Sequence, residues 1–501
     1  MRAERRRPDS RNMRAMAAVC LLVAACAANA QEPDGSRPNI LVILGDDMGV
    51  ETLASFGVGT QTPRTATLDA LAERGVRFTN MWSQAMCSPT RATILTGRYG
   101  FRTGVGGPTG DNIARGPMPE PPPVPAGVVE FGMGSGMGMG MGTGGAFVGG
   151  ADGGRWGITP DEFTLTEALS NRPDLGYDKA AIGKWHLSDV RNGWQDHPNL
   201  VGFDHFSGLV RCCPESYFAW VHLENGEFST RTGYAVTDKV DEAINWLGDP
   251  SERDAPWFLW LAFNTPHSPI HMPPRDLLQS DFSDFGEADA EQQDPRFFDA
   301  MLEAMDTEIG RLLDHIGPEV LENTYVLFIG DNGTGSNAVR EPFRPGYAKG
   351  TLYNGGIHVP FMIAGPSVAS GAVSDALVNS ADLFATLLEL AGIDVPAAVP
   401  GGIALDSVSL VPYLSEPDRE SIRQWVYADS FTTDLGVESG AYTMRNQRYK
   451  LLVVQGVEHF FDLQADPYEH NDLMAGDLSE EQQAQLDSLR AQIAALHGSE
   501  G

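Results

Sequence analysis

The stretch Met86-Cys87-Ser88-Pro89-Thr90-Arg91-Ala92-Thr93-Ile94-Leu95-Thr96-Gly97-Arg98 concentrates the chemistry of this chain. It follows Val76-Arg77-Phe78-Thr79-Asn80, which reads as a short strand. Pro89 is tolerated in the first turn of a helix, where its missing N–H has no partner to lose, and Gly97 suits the position just past its end. Cys87 is thereby placed at a helix N-terminus, where free N–H groups and the helix dipole favour an anion. Arg91, four residues on, shares that face and adds a rigid fork of donors suited to a tetrahedral oxyanion. A lone cysteine is more often buried and inert, so its meaning depends on what else the fold brings to it.

Two other places carry matching chemistry. Ile40–Leu44 is a continuous apolar run ending in Gly45-Asp46-Asp47, and Tyr325–Ile329 is another ending in Gly330-Asp331-Asn332-Gly333. Asp46, Asp47, Asp331 and Asn332 are then four oxygen donors from two strand ends, a set that suits a hard cation, Ca²⁺ first and Mg²⁺ second. Without a cation, three carboxylates so close would repel one another and drive protonation. Singly, each Asp would be an ordinary turn residue; the repetition of the unit is what points to a site.

Ala180-Ala181-Ile182 leads into Gly183-Lys184-Trp185-His186, and Phe258–Phe263 into Asn264-Thr265-Pro266-His267. Four apolar runs that each hand over to polar residues predict a parallel sheet buried on both faces, with its ligand at the carboxyl edge. Lys184, His186, His267 and, further on, Lys349 supply positive charge and titratable groups at that edge. Segments 67–74, 165–170, 236–247 and 297–316 carry apolar residues at helical spacing. The alternation predicts an α/β fold: a large doubly wound, mainly parallel sheet with helices on both faces. A last strand is expected at Phe361–Ala364 and a helix at Asp382–Ala391.

Beyond about Tyr413 the texture changes. Four short strands (425–428, 441–445, 449–454, 459–463) and a helix over 479–496 predict a small C-terminal α+β subdomain with a short antiparallel sheet, 414–501, after a main domain of 37–413. Residues 106–156 interrupt the pattern with a Pro-rich and then a Gly/Met-rich run, read as a surface insertion that buries no core. Its Met133, Met137, Met139 and Met141 offer thioethers of the kind Cu(I) accepts, against the plainer reading of a flexible loop. Residues 205–235 are likewise expected to be loops that shape specificity.

The chain of 501 residues has 35 Lys and Arg against 67 Asp and Glu, a net charge of −32. Residues 1–30 carry six Arg and two acidic residues, so their removal leaves −32 − 4 = −36. Such a surface repels nucleic acid and anionic membranes. Residues 1–30 read as a secretory signal peptide: an Arg-rich start, an apolar run too short to span a bilayer, and Ala28-Asn29-Ala30 before Gln31. Export to the periplasm or beyond follows. Val23-Ala24-Ala25-Cys26 also resembles a lipoprotein cleavage box, which would leave Cys26 lipidated and the protein membrane-anchored. The remaining cysteines, Cys87, Cys212 and Cys213, make no disulfide framework; the adjacent pair is either a vicinal disulfide or two thiols near the pocket rim.

Cys87-Ser88-Pro89-Thr90-Arg91 followed by Leu95-Thr96-Gly97 resembles the signature of the sulfatases, formylglycine-dependent arylsulfatase-like enzymes of the alkaline phosphatase superfamily. The resemblance extends along the chain: residues 37–49 resemble the opening strand with its metal pair, and Gly183-Lys184-Trp185-His186-Leu187 the Lys/His motif. Thr265-Pro266-His267-Ser268-Pro269 resembles the histidine motif, Gly330-Asp331-Asn332-Gly333 the second metal pair, and Lys349 with Gly355-Gly356 the lysine segment. Phe461-Asp462-Leu463 with Asp466-Pro467-Tyr468-Glu469 resembles the C-terminal signature. Thr90 departs from the usual Ser or Ala, and Asn354 and His358 stand where an acid and an arginine are usual, which suggests a lost ion pair.

The resemblance implies hydrolysis of aryl or carbohydrate sulfate esters. Cys87 would be oxidised to formylglycine on the unfolded chain by a formylglycine-generating or anaerobic sulfatase-maturing enzyme. It further implies one divalent cation at Asp46, Asp47, Cys87, Asp331 and Asn332. One hydroxyl of the hydrated aldehyde attacks sulfur after losing its proton to Asp331, and Lys349 and His267 stabilise or protonate the departing alkoxide. His186 deprotonates the other hydroxyl to expel sulfate, while Arg91 and Lys184 hold the charge. The competing readings are a phosphodiesterase or phosphonate monoester hydrolase on the same fold, and an unmodified, non-catalytic protein that binds sulfated glycans. Two-zinc phosphatases would show more histidine and Asp-His at the second metal pair, so Asp331-Asn332 favours one hard cation.

Overall fold

A computed structural model describes residues 37–109, 117–131, 157–284, 294–431 and 436–499. The leader, and the Gly/Met run with its four methionines, lie outside the described residues. The apolar runs form the middle of a ten-stranded sheet. Its strands are β1 (Asn39–Gly45), β2 (Val76–Trp82), β4 (Asp178–Lys184), β5 (His205–Leu209), β6 (Ala219–Glu224), β7 (Glu227–Thr232), β8 (Trp257–Ala262), β10 (Thr324–Gly330), β11 (Phe361–Ala364) and β12 (Ala372–Asn379). Their spatial order is β12-β2-β11-β10-β1-β8-β4-β5-β6-β7. The central strands β10, β1, β8, β4 and β5 are parallel; β11, β6 and β7 enter antiparallel.

The continuous runs have the cause expected of them. Ile40, Val42 and Leu44 face one core, together with Ala92, Ile94 and Leu95 of the helix Cys87–Thr96 and Leu383, Phe384, Leu387 and Leu388 of the helix Asp382–Leu390. Leu41 and Ile43 face the other, against the helices Ala66–Arg74, Ala235–Leu247 and Arg296–Ile316. Helices therefore cover both faces, and the sheet's edges, not its faces, are what remain for chemistry.

Two expectations about the sheet are corrected. Residues 205–235 are not loops: β5, β6 and β7 extend the sheet there, with only 210–218 left as a long connection. Phe361–Ala364 is not the last strand, since β12 follows and pairs parallel with β2. The insertion is also smaller than read. Residues 117–131 end in β3 (Glu130–Phe131), which pairs with β9 (Ile270–His271), and Met118 and Val129 pack against the core.

The C-terminal sheet is β13 (Val426–Ser430), β14 (Ala441–Arg445), β15 (Tyr449–Val454) and β16 (Val457–Asp462), all antiparallel. One face packs on Trp82, Met86, Tyr353 and Ile357 of the main body. The other receives the helix Glu480–His497 through Leu486, Leu489, Ile493 and Leu496, and a capping box between Ser479 and Gln482 starts that helix. Glu469 is buried here, taking the Lys450 ammonium at 2.5 Å and the Asn354 N–H at 2.5 Å. Asn354 and His358 thus belong to a structural tie: His358 Nε2 donates to Thr79 O at 2.8 Å, and burial holds its pKa down to about 4.

Glu51 follows the first acidic pair and is buried. Burial pushes its pKa up to about 7 from 4.5, against the pull of Thr334 and Arg340. A raised carboxyl stabilises the fold fully below its unfolded value and loses that contribution as the pH climbs through 7. Glu51→Gln should therefore unfold at the same urea concentration as the parent at pH 4. At pH 8 it should be more stable by roughly 3 kcal/mol, as 2.5 pKa units convert. Equal unfolding midpoints at pH 8 would refute this.

Candidate active site

The residues picked out by type meet at the carboxyl ends of four adjacent strands, β10, β1, β8 and β4. Gly45 of β1 lies opposite Gly330 of β10, so Asp46 and Asp331 leave the sheet side by side. A Cβ at Gly330 would strike the Met48 carbonyl, which is why the turn after β1 can fold this closely over β10. Three main-chain donors lock the arrangement: Asp331 N–H to Gly45 O (2.9 Å), Asp46 N–H to Thr265 O (3.0 Å) and Asp47 N–H to the Asp331 carboxylate (3.2 Å).

Cys87 opens its helix, as expected, and every residue of that helix is buried. Gly97 ends it with φ of 69°, its N–H donating to Thr93 O. Cys87 Sγ stands 3.1 Å from His186 Nδ1. The other ring nitrogen, Nε2, is 3.2 Å from the carbonyl oxygen of Thr109. A carbonyl only accepts, so the proton sits on Nε2 and Nδ1 turns its lone pair toward position 87. Ser88 Oγ donates to the His186 carbonyl at 2.7 Å, and the Thr109 hydroxyl donates to it at 3.2 Å. Thr109 and Ser88 thus set the tautomer and position of His186. Sequence reasoning missed both, because a main-chain carbonyl leaves no residue signature.

Arg91 is fully buried and forks onto Asp331 Oδ2 from Nε (3.2 Å) and Nη2 (2.8 Å), while Nη1 donates to Lys184 O at 2.6 Å. Lys184 Nζ meets Asp46 Oδ2 at 2.5 Å. Lys349 pairs with Asp47 Oδ1, the oxygen that also accepts from Asn332 Nδ2 at 2.9 Å. His267 Nε2 is 3.9 Å from Asp47 Oδ2.

The charges sort by surroundings. Burial, then the Asp331 carboxylate, push the Asp46 carboxyl well above its ordinary value, with Lys184 pulling the other way. Burial also opposes ionisation of Asp47, but Lys349, His267 and Lys184 outweigh it and hold that carboxyl well below the usual range. Burial and the Lys349 charge lower the pKa of His267 to about 3, so it is neutral at pH 7. Lys184 and Lys349 stay charged, since their carboxylate partners overcome burial.

Asp46, Cys87 and Asp331 present ligand atoms within 4.8 Å of one another. Asp46 Oδ1 and Asn332 Oδ1 are buried and have no hydrogen-bond partner. Buried oxygens of that kind are costly unless something positive meets them, and an all-oxygen pair fits a hard cation. Asp47 stands beside this group, its Oδ1 held by Lys349 and Asn332.

At the rim, the connection after β5 brings Cys212 and Cys213, joined as a vicinal disulfide, against His267. Tyr217, also missed in the sequence, donates its hydroxyl to the carbonyls of Asn264 (2.6 Å) and His267 (2.9 Å) and so anchors the histidine loop.

This fold is that of a hydrolase of the sulfatase class. A sulfatase family model matches residues 38–393, and one for the C-terminal region of N-sulphoglucosamine sulphohydrolase matches residues 346–496; the chain belongs to the sulfatase family and is a sulfuric ester hydrolase. It is 26% identical to arylsulfatase G of Rattus norvegicus over 489 residues, covering 88% of this chain and 80% of the relative. It is 26% identical to the ulvan-active sulfatase of Formosa agariphila, covering 93% and 83%, and 29% identical to human N-acetylgalactosamine-6-sulfatase, covering 77% and 67%. Among solved structures, Ps i-CgsB in complex with k-i-k-neocarrahexaose shares the fold with a TM-score of 0.70 at 23% identity, over 92% of both chains. A protein in complex with its substrate D-glucosamine-2-N,6-O-disulfate shares it with a TM-score of 0.66 at 20% identity, over 93% of this chain and 99% of the other. Among the described residues, no helix is long and apolar enough to cross a membrane.

Proposed function

We propose that the protein hydrolyses sulfate monoesters of saccharides, with aryl sulfates as activated surrogates, using position 87 as the nucleophile. The observation that carries this reading is the meeting of Cys87 Sγ, Asp46 and Asp331 in one buried group, with His186 Nδ1 in contact with the sulfur. Relatives named for ulvan and for N-acetylgalactosamine 6-sulfate favour a saccharide. Conversion of Cys87 to formylglycine by a maturing enzyme gives this position a hydrated aldehyde, with one hydroxyl to attack sulfur and one to release sulfate. A bound Ca²⁺, with Mg²⁺ as second choice, would neutralise the carboxylates and polarise the sulfate; Asp46, Asp47, Asp331, Asn332 and position 87 would hold it.

The chain's own groups divide the remaining work. His186 takes a proton from position 87 on the nitrogen whose lone pair faces it. Arg91 fixes Asp331, the acceptor for the attacking hydroxyl's proton, and Lys184 draws negative charge toward Asp46. Lys349, oriented by Asp47, flanks the position of the leaving oxygen, where its positive charge stabilises a developing alkoxide; His267 stands beside it and acts there once the negative charge of the bound sulfate draws a proton onto its Nε2. Residues 1–30 fit an export leader, with lipidation of Cys26 as the alternative; N-terminal sequencing of the mature protein should begin at Gln31.

The test of the cation is its removal. Exhaustive chelation should reduce turnover of 4-nitrophenyl sulfate at least 100-fold, and Ca²⁺ should restore it, with one equivalent found by elemental analysis. Stoichiometric zinc in the active protein would overturn the reading in favour of a phosphatase-like centre.

A further inference from the structure

Cys212 and Cys213 have no part in the chemistry above, yet they press on one of its members. Cys213 Sγ lies 3.3 Å from His267 Nδ1 and 3.7 Å from Nε2, and Cys212 Sγ lies 3.7 Å from Nε2. The three residues offer ligand atoms within 4.8 Å of one another. Their backbones are tied together: Asn264 Nδ2 donates to Cys212 O at 2.7 Å, and Tyr217, four residues beyond Cys213, holds the carbonyls of Asn264 and His267. His267 Nδ1 donates to Ser268 O at 2.8 Å, which leaves the Nε2 lone pair free for a ligand bond.

We propose that Cys212, Cys213 and His267 Nε2 form a site for a thiophilic divalent cation, opened when the Cys212–Cys213 bond is reduced. A tetrahedral thiolate–imidazole site has S···N edges of about 3.6 Å, from metal–sulfur near 2.3 Å and metal–nitrogen near 2.0–2.1 Å. Cys212 Sγ already stands at 3.7 Å from Nε2, while Cys213 Sγ, at 3.3 Å from Nδ1 and 3.7 Å from Nε2, lies beside the ring and swings toward the Nε2 lone pair once the S–S bond is open. Reduction adds two electrons and two protons to the disulfide, giving two thiols that separate to a nonbonded distance. A low-molecular-weight dithiol or a trialkylphosphine supplies the electrons; the phosphine leaves as its oxide, with the oxygen and both protons drawn from water. Binding of the cation releases the two thiol protons, so the bound form is a dithiolate. The soft sulfur set separates this site from the oxygen donors at Asp46 and Asp331. Its filling takes Nε2 out of the active site, and this inhibitory consequence rests on the role given to His267 above.

The experiment uses the full matured protein and Cd²⁺, whose thiolate charge-transfer absorbance reports sulfur ligation directly. Equilibrium dialysis should find one more Cd²⁺ per chain after phosphine treatment than before it, with a matching rise in absorbance. Neither should occur in the Cys212→Ser/Cys213→Ser protein. Any Cd²⁺ held at the carboxylates, or at Cys87 of unconverted chains, binds with or without phosphine and cancels in the difference. In the reduced protein Cd²⁺ should cut arylsulfate turnover at least tenfold, with reversal by a thiol chelator. Equal Cd²⁺ uptake before and after reduction, or an undiminished absorbance in the double variant, would overturn the site. Ligation with unchanged turnover would instead overturn the inhibitory role and, with it, the placement of His267 at the leaving group.

Discussion

Cys87→Ser protein incubated with an activated aryl sulfate gains the mass of one sulfate and then stops, while Cys87→Ala gains nothing. The serine keeps one hydroxyl at the place of the sulfur, within reach of His186 Nδ1, which is 3.1 Å from Sγ in the parent. That hydroxyl can attack, but no second oxygen on the same carbon remains to expel the product, so the ester persists. Alanine removes the nucleophile altogether. Both variants should lose steady-state turnover by on the order of 10⁴-fold or more, as removal of a nucleophile does elsewhere. Intact mass spectrometry reads the adduct, and metal content by elemental analysis shows whether the site survives. Sustained turnover by the alanine variant would place the nucleophile elsewhere.

Arg91→Ala is the second large effect, and it falls on stability as well as rate. Arg91 and Asp331 are both fully buried, and the guanidinium also satisfies the Lys184 carbonyl. Removing it leaves Asp331 charged without its fork and adds to the repulsion around Asp46. Breaking a buried pair from one side costs about 3–5 kcal/mol, which urea unfolding should show as a clear drop in midpoint. Arg91→Lys keeps the charge but offers no planar fork to span Asp331 and Lys184 O, and should recover only part of the loss. Bound Ca²⁺ would narrow the gap by replacing some of the missing positive charge. A loss below about 1 kcal/mol in Arg91→Ala, the range of exposed pairs, would mean that the pair contributes little.

How far the fold and site could be read in advance follows from where each residue sits. Strands β1, β8 and β10 are buried on both faces, so their sequences are unbroken apolar runs and stand out. The polar residues at their ends could then be assigned to one edge. Strand β7, Glu-Phe-Ser-Thr-Arg-Thr, lies at the sheet margin with mixed exposure and has no pattern to distinguish it from a loop. Strand β12 carries a register shift between Ser374 and Leu377, which breaks the alternation that would have marked it. The family resemblance supplied the roles of Cys87 and Lys349; residue type alone supplied the oxygen donors. Thr109 and the seating of Cys212 and Cys213 on His267 depend on the path of connections, which periodicity does not encode. Residue type at 354 and 358 suggests only a lost ion pair; that Asn354 meets Glu469 and His358 meets Thr79 O depends on tertiary packing.

The register that sets Gly45 opposite Gly330 has a kinetic consequence. The β1–β10 pairing joins residues 285 positions apart, Asn39 to Thr324 at one end and Gly45 to Gly330 at the other. Contacts of such long range are slow to form, because the chain must be ordered before they return any energy. Asp46 and Asp331 therefore come within ligand distance only once the middle of the sheet has closed, and a half-folded chain with its helices and hairpins intact would have no cation site. A ligand bound there stabilises the finished sheet alone, so saturating Ca²⁺ should act chiefly by slowing unfolding and leave the early steps of folding at their own pace.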